Sequence, residues 1–547
     1  MQFNIDSAFL EGAHTIETFG SGNYYPFDYT GAKDELLACR EGAWLGSHLN
    51  VTPTYDLYGK DVIKFLNHYC VNSDFAKTTN NKGRHVLICN EKGQLLADGV
   101  LIRIGENRFR TFWLAPVIAV FQATCGMDVQ GNVVNDEYFF QIDGPRSLEI
   151  LEKACQCDLH DLKFAMHRVV KIEGMDMRVL RLGMSGALAY EVHGPEADAN
   201  KVFDIIRETG REFGLKPLGN RQYCVNHTQA GYPNQFVHFT YPYATGGPAL
   251  AAATQMQSEM VGPGSCREDK ENYYVTPYDV GWGYLVNFNR DFVGKEALQK
   301  LAANPPQTPV TLEWDPDDVA DVYASQYRGT DVEPYDPIDA PKDFGDPAPG
   351  NTGFRMDKVL VGGKQVGRAS GRINDYYHRR VISLAFINKE FAREGTDVIV
   401  LWGTPGNPQK EIRARVARFP YYNEEYRNET FDVEKIPHPV FAKEVDYSNT
   451  KVDGIYNIEV EAGGSKQLGS FTYKTNGNVL TGTATAMGVT SEITDGKVDK
   501  NRFEHTMKMK TPLGEMKIKV KGKVEGDVIS GVFKVMMMSM PFSGKRG

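Results

Sequence analysis

From Tyr447 to Gly547 the chain is a succession of short runs in which apolar and polar residues alternate: GIYNIEVEAG, GSFTYKTNG, VLTGTATAMG, TSEITDGKVDKN, RFEHTMKMKTPLG, EMKIKVKGKVEG and DVISGVFKV. Each is closed by glycine, Asn-Gly or Asp-Gly, or runs to the next such turn, and none has helical spacing, so the stretch reads as an antiparallel meander. Strands this numerous and this short must turn one face inward together, which predicts a small up-and-down barrel or curved sheet. In Glu515-Met516-Lys517-Ile518-Lys519-Val520-Lys521 the apolar side chains take one face and the charges the other. Those lysines are read as a solvated face, with a binding surface as the alternative. The stretch also differs in charge: it holds 15 Lys and Arg against 10 Asp and Glu, so +5 here leaves −14 for the first 446 residues out of a total of −9.

The whole chain has 547 residues, enough for about three to four domains at roughly 150 residues each. With 41% hydrophobic and 24% charged residues it is an ordinary globular chain, and its negative balance argues against nucleic acid or an anionic membrane as partner. No apolar run reaches the roughly 18 residues of a membrane helix, and MQFNIDSAFLEGAH lacks the features of a signal peptide. A cytoplasmic protein is expected. Its 8 cysteines include no CxxC pair, so free thiols are expected and no metal site is indicated. Cys155-Gln-Cys157 reads as a helix end and turn, with redox activity as the alternative.

Further boundaries follow from texture. Residues 1–303 mix helical and strand periods, an α+β pattern; helical spacing over Ala199–Phe213 ends at Gly214, and Val86–Cys89, Gly99–Ile104 and Met177–Leu182 read as strands. Residues 304–350 are rich in Pro and Asp and read mostly as irregular connection, apart from the strand-like Val310–Trp314. Strand-like runs dominate 351–446, predicting a mostly β domain, and 447–547 is the barrel. In VLVGGKQVG the paired Gly362 and Gly363 read as a hairpin turn.

There is no phosphate-binding loop, no HExxH, no GxSxG and no dinucleotide fingerprint. Four segments are informative instead by their order along the chain. They are Lys92-Gly-Gln-Leu-Leu-Ala-Asp98-Gly with Ile104-Gly-Glu-Asn-Arg-Phe; Phe140-Gln-Ile-Asp-Gly-Pro145; Arg181-Leu-Gly-Met-Ser-Gly-Ala-Leu-Ala-Tyr190-Glu191-Val; and Gly281-Trp-Gly-Tyr-Leu-Val through Phe292-Val-Gly-Lys-Glu-Ala-Leu298. Over residues 25 to 420 this order resembles the folate-dependent aminomethyltransferase family, the T-protein of glycine cleavage and its relatives. Met184-Ser-Gly-Ala187 and His227-Thr-Gln-Ala-Gly231 depart from the T-protein pattern. Ser47-His48, Arg221-Gln-Tyr223-Cys-Val-Asn226, Thr311–Trp314, Arg379-Arg-Val-Ile-Ser-Leu-Ala385 and Gly395–Gly403 are similar to the tetrahydrofolate-dependent aryl-methyl-ether O-demethylases, such as those acting on vanillate and syringate.

The resemblance implies a T-protein-like multi-domain α+β fold and tetrahydrofolate as cofactor. It implies Glu191 on the pterin ring and Asp98 beside the folate, with Tyr190, Arg221 and Asn226 as further cofactor contacts. One carboxylate accepts both neighbouring pterin donors, which suits Glu191; a plain strand-end Glu is the alternative. Removing a methyl group from an ether leaves a poor leaving group unless its oxygen is protonated or stabilised. Tyr223 and His48 are the candidate donors, with satisfied buried polar residues as the other reading. Asp98 tunes or positions the folate, or is a turn residue before Gly99. No metal is required. The segment Tyr223–Tyr243, dense in rings and amides, suits an aromatic substrate or core packing, and 242–277 reads as a lid or a disordered insertion.

The expected function is therefore transfer of a methyl group from a small methoxylated aromatic to tetrahydrofolate. The alternatives are an aminomethyltransferase, an N- or S-methyl demethylase, or a non-catalytic folate binder. A homo-oligomer is left open, and the barrel is expected to mediate oligomer contacts or to cover the active site.

Overall fold

A computed structural model describes residues 8–19, 23–47, 54–254, 261–338, 355–441, 450–462, 465–486, 488–511, 514–535 and 538–547. The chain forms two compact units, Met1–Pro439 and Val440–Gly547.

The first unit is built on two large sheets and a barrel, with a further two-stranded sheet of Thr15–Phe19 and Asn23–Asp28. A six-stranded sheet runs in the order His167–Ile172, Met175–Leu180, Ala189–Pro195, Glu137–Asp143, Ala43–Gly46 and Leu215–Leu218, the last pair parallel. Its central strands, Ala189–Pro195, Glu137–Asp143 and Ala43–Gly46, are buried on both faces for most of their length, whereas His167–Ile172 alternates between buried and exposed positions. In Glu137–Asp143, Tyr138, Phe140 and Ile142 enter one core with the helices Ser147–Cys155 and Ala199–Gly210, while Phe139 and Gln141 face the other way. The second helix follows from its apolar spacing at Val202, Phe203 and Ile206, and a short 3-10 turn ends it at Gly214 in the left-handed conformation.

A five-stranded sheet, in the order Gly83–Cys89, Leu95–Gly105, Arg108–Phe112, Thr54–Tyr58 and Gln130–Val134, packs its outer face on the helices Val62–Tyr69 and Val117–Thr124. Its inner face sends Val100, Ile102 and Phe112 against Phe139, Leu180 and Trp44 of the first sheet. The site lies in the cleft that continues this inter-sheet layer.

Six strands, Gln307–Trp314, Arg380–Asn388, Lys364–Asp375, Met356–Val361, Asp397–Trp402 and Lys410–Ala417, close into a barrel around Leu312, Val400 and Trp402. Gly362 and Gly363, at φ 57° and 72°, form the hairpin read from their pairing. The Pro/Asp-rich connection is more ordered than expected where it is described. It contains the whole first barrel strand and a helix, Pro316–Ser325. Asp315 caps that helix by accepting from the Asp317 and Asp318 amides, and Pro316 sits where a missing N–H costs nothing. The acidic run thus starts a helix rather than holding the chain extended. The described part of 242–277 also packs: Tyr243 and Leu250 join the core of the five-stranded sheet, and Cys266 and Tyr273 pack with Met356.

The second unit is a closed eight-stranded antiparallel barrel, Gly454–Ala462 through Met538–Arg546, with every strand paired to its neighbour and the last to the first. Ile518 and Val520 point inward while Lys517 and Lys519 are exposed, as the alternation predicts. Closure leaves no free edge.

Candidate active site

Strand Ala189–Pro195 alternates across its sheet, so Tyr190 and Val192 enter the helix-side core while Glu191 and His193 face the inter-sheet cleft. Strand Leu95–Gly105 alternates likewise and turns Asp98 to the cleft beside Val100. Asp98 is thus a strand residue, not a turn. Glu191 and Asp98 line one cavity of about 290 Å³, together with Trp113, Gln141, Met184, Tyr232 and Tyr241.

At one wall Glu191 is 3% exposed and its Oε2 makes no hydrogen bond. The nearest basic atom is His193 Nε2 at 3.5 Å, and burial, with the neighbouring Arg178 and Arg110 charges, holds that imidazole well below its usual range. Burial first, and then the Asp143 carboxylate, push Glu191 well above the ordinary carboxylate range. A carboxylate with so little compensation is costly unless a ligand supplies donors. Asn234 Nδ2, also on the cavity, is likewise without an acceptor.

At the other wall Tyr241 donates its hydroxyl hydrogen to Asp98 Oδ1 and accepts from the Asp98 amide at 2.9 Å. Asp98 Oδ2 meets His85 Nε2 at 3.1 Å, and His85 Nδ1 has no hydrogen-bond partner. The His85 ring lies edge-on to Trp282, centroids 4.6 Å apart, and tilted toward Tyr232 at 5.4 Å. Burial, reinforced by Asp98, raises the Tyr241 hydroxyl well above its ordinary value, so it stays protonated as a donor. Burial lowers His227 to about 4, while its Nδ1 donates to the Tyr232 carbonyl at 2.9 Å, so that ring is neutral.

Of the residues expected from sequence, then, Asp98 and Glu191 meet on one cavity. Tyr190 is a correction: period two puts its ring in the fully buried core behind Glu191. Arg221 is directed to Asp28, 3.7 Å away, and over Phe27 rather than into the cavity. Asn226 is buried on its helix and donates to the Gln222 carbonyl at 3.1 Å. His48 and the side chain of Tyr223 lie outside the described residues. Sequence reasoning missed His85, Gln141 and Tyr241. Tyr241 lay within the ring-rich segment Tyr223–Tyr243, which both packs and lines the cavity. His85 and Gln141 were signalled only by strand pairing, His85 opposite Val100 and Gln141 opposite Glu191.

Comparison with known proteins agrees with this architecture. Residues 9–234 match the GCVT N-terminal domain. The sesamin methylene transferase of Sinomonas sp. is 45% identical over 449 residues, 79% of this chain and 98% of that protein. The chain belongs to the GCVT, or aminomethyltransferase, family. The syringate O-demethylase of Sphingobium sp. is 29% identical over 72% of this chain and 89% of its own length, and an aminomethyltransferase of Alkaliphilus metalliredigens 25% over 50% and 67%. The glycine cleavage system aminomethyltransferase T of Bartonella henselae shares the fold, with a TM-score of 0.55 at 17% identity over 76% of this chain and 96% of that one. The residues of this GCVT-family cavity fit a pterin: Glu191 offers an unshared acceptor to the adjacent 2-amino and N3–H donors, and Asn234 a spare donor. No helix among the described residues is long and apolar enough to cross a membrane.

Proposed function

We propose that this protein is a tetrahydrofolate-dependent transferase that takes one carbon from the ether oxygen of a small aromatic compound. The observation that carries this reading is the pairing, on one ring-lined cavity, of the uncompensated Glu191 carboxylate with the Asp98–Tyr241–His85 network. Glu191 holds the pterin. Bound tetrahydrofolate supplies the nitrogen that accepts the carbon. Asp98 takes the one Tyr241 hydroxyl hydrogen and holds the His85 ring by its Nε2, which leaves the unpartnered His85 Nδ1 to face the oxygen on which charge develops as its bond to carbon breaks. Tyr232 and Trp113 give an aromatic donor flat surfaces against which to align, and alignment supplies most of the acceleration. His48 and Tyr223 remain proposed proton donors on the strength of the sequence pattern.

The carbon arrives as methyl or as methylene. A methoxyaromatic gives a phenol and 5-methyltetrahydrofolate; a methylenedioxy compound gives a catechol and 5,10-methylenetetrahydrofolate. The second outcome is favoured by the 45% identity to a methylene transferase, the first by the O-demethylase relative. Anaerobic incubation with tetrahydrofolate and separate methoxy-, methylenedioxy-, N-methyl and S-methyl donors, read by mass spectrometry of both products, decides. Folate products from aryl ethers are expected. Products only from N- or S-methyl donors, or none from any, overturn the proposal.

A further inference from the structure

Away from this cavity, where the helix Ser147–Cys155 ends, Asp158, His160 and His438 bring ligand atoms within 4.8 Å of one another. His160 Nδ1 is 3.2 Å from Asp158 Oδ1, and His438 Nδ1 is 2.8 Å from Asp158 Oδ2. Glu152 adds Oε1 at 2.8 Å from His160 Nδ1; its side chain is 1% exposed, yet its Oε2 has no hydrogen-bond partner. Asp158 and His438 are about half exposed, so the cluster opens to solvent.

We propose that Asp158, His160 and His438, backed by Glu152, bind one divalent transition-metal ion of the zinc type. That ion ties the segment Ile436–His438 to the end of the helix.

The ring geometry favours an ion over a hydrogen-bonded network. His160 Nε2 faces the Ile436 carbonyl at 3.0 Å, and its Nδ1 faces only carboxylate oxygens. His438 Nε2 faces Glu434 Oε2 at 2.9 Å, and its Nδ1 faces Asp158. All four ring nitrogens thus meet acceptors. Where the rings give the hydrogen at all four contacts, both are positive, and they lie stacked with centroids 3.9 Å apart and planes 20° from parallel. One divalent ion in place of the two Nδ1 hydrogens keeps the total charge and removes the stacked imidazolium pair. It also leaves each outer N–H on an oxygen, the usual support of a metal-bound imidazole. Two carboxylates balance the ion. Two imidazoles with the Asp158 carboxylate, Glu152 standing behind His160, suit zinc and its neighbours, whereas calcium and magnesium call for oxygen alone.

The test uses the full chain, stripped with a chelator and dialysed, titrated with Zn²⁺ by calorimetry and with Co²⁺ by absorption, with Tm read in each state. One Zn²⁺ per chain is expected, with proton release, a raised Tm and a Co²⁺ spectrum free of intense sulfur charge-transfer bands. His438→Ala and Asp158→Asn should each weaken Zn²⁺ binding on the order of 100-fold and abolish the Tm rise, while folate-dependent turnover of His438→Ala is unchanged. Three results overturn the site: no Zn²⁺ bound by the unaltered chain, equal binding by both variants, or a sulfur-dominated Co²⁺ spectrum that assigns the ion to Cys157 or another thiol.

Discussion

The Tyr241 hydroxyl bonds Asp98 twice, giving its hydrogen to Oδ1 and accepting the Asp98 amide hydrogen at 2.9 Å. These residues are 143 positions apart. The pair fixes the carboxylate on the strand Leu95–Gly105, and leaves Oδ2 for His85.

Tyr241→Phe removes this clamp while keeping the ring in its core position among Phe239 and Tyr243. Turnover should fall by about 10- to 100-fold, in the range of a lost donor or positioning group, with the KM for tetrahydrofolate little changed. Asp98→Asn should fall at least as far, because it disturbs both Tyr241 and His85. Steady-state kinetics of the two variants check this, and unchanged kcat in both would remove the network from the chemistry.

Much of this was legible in the sequence, and the limits have physical causes. The barrel of the second unit was plain because alternation and Gly turns are local signals. Glu191 and Asp98 were found through short ordered segments. Tyr190 was misplaced because neighbours on a strand share a motif but not a face. The helix Pro316–Ser325 was missed because an acidic run was read for repulsion, although Asp315-Pro316-Asp317-Asp318 is also a capped helix start. His85 and Tyr241 needed pairing across the fold, and Asp158 and His438, 280 positions apart, meet only in three dimensions.

Glu191 makes stability depend on pH with a definite sign. Its folded-state value is raised, and the buried Asp143 is raised from 3.8 to about 8. An acid whose folded pKa is raised contributes stability that is fully present below its unfolded pKa and lost as pH rises through the folded value. The ligand-free protein should therefore lose stability as pH rises above about 4, up to about 8 for Asp143, by at most about 1.4 kcal/mol per pH unit for each group. Glu191→Gln should flatten that slope and raise the Tm at pH 8 more than at pH 5, while weakening folate binding. Thermal melts at the two pH values, with and without folate, measure both effects; a slope equal in the variant would rule out Glu191 as its source.

Gly99 follows Asp98 directly, and an added Cβ would collide with the Phe112 carbonyl oxygen and lie 3.1 Å from Leu114 Cγ. Gly99→Ala must push the strand Leu95–Gly105 off its neighbour, at a cost of about 1–3 kcal/mol. Because the shift carries Asp98 with it, kcat should fall along with Tm. A distant core change of similar cost, such as Ile412→Val in the six-stranded barrel, should lower Tm without lowering kcat at a temperature where both are folded.

The eight-stranded barrel has its own buried core, including Tyr456, Phe471, Val520 and Ile529, and no open edge to be completed by another segment. The 45%-identical methylene transferase is matched over 98% of its length by 79% of this chain, so a relative of this architecture is nearly accounted for with about a fifth of the present chain left over. Together these predict separability. Residues 447–547 expressed alone should melt cooperatively and give a β spectrum by circular dichroism. A chain truncated after Asp446 should keep folate-dependent transfer within about threefold, because the Glu191 and Asp98 walls both lie in the first unit. Loss of transfer in a truncated chain that still melts at its original temperature would instead mean that the barrel covers the site. A change in sedimentation beyond the lost mass would make the barrel an oligomer contact.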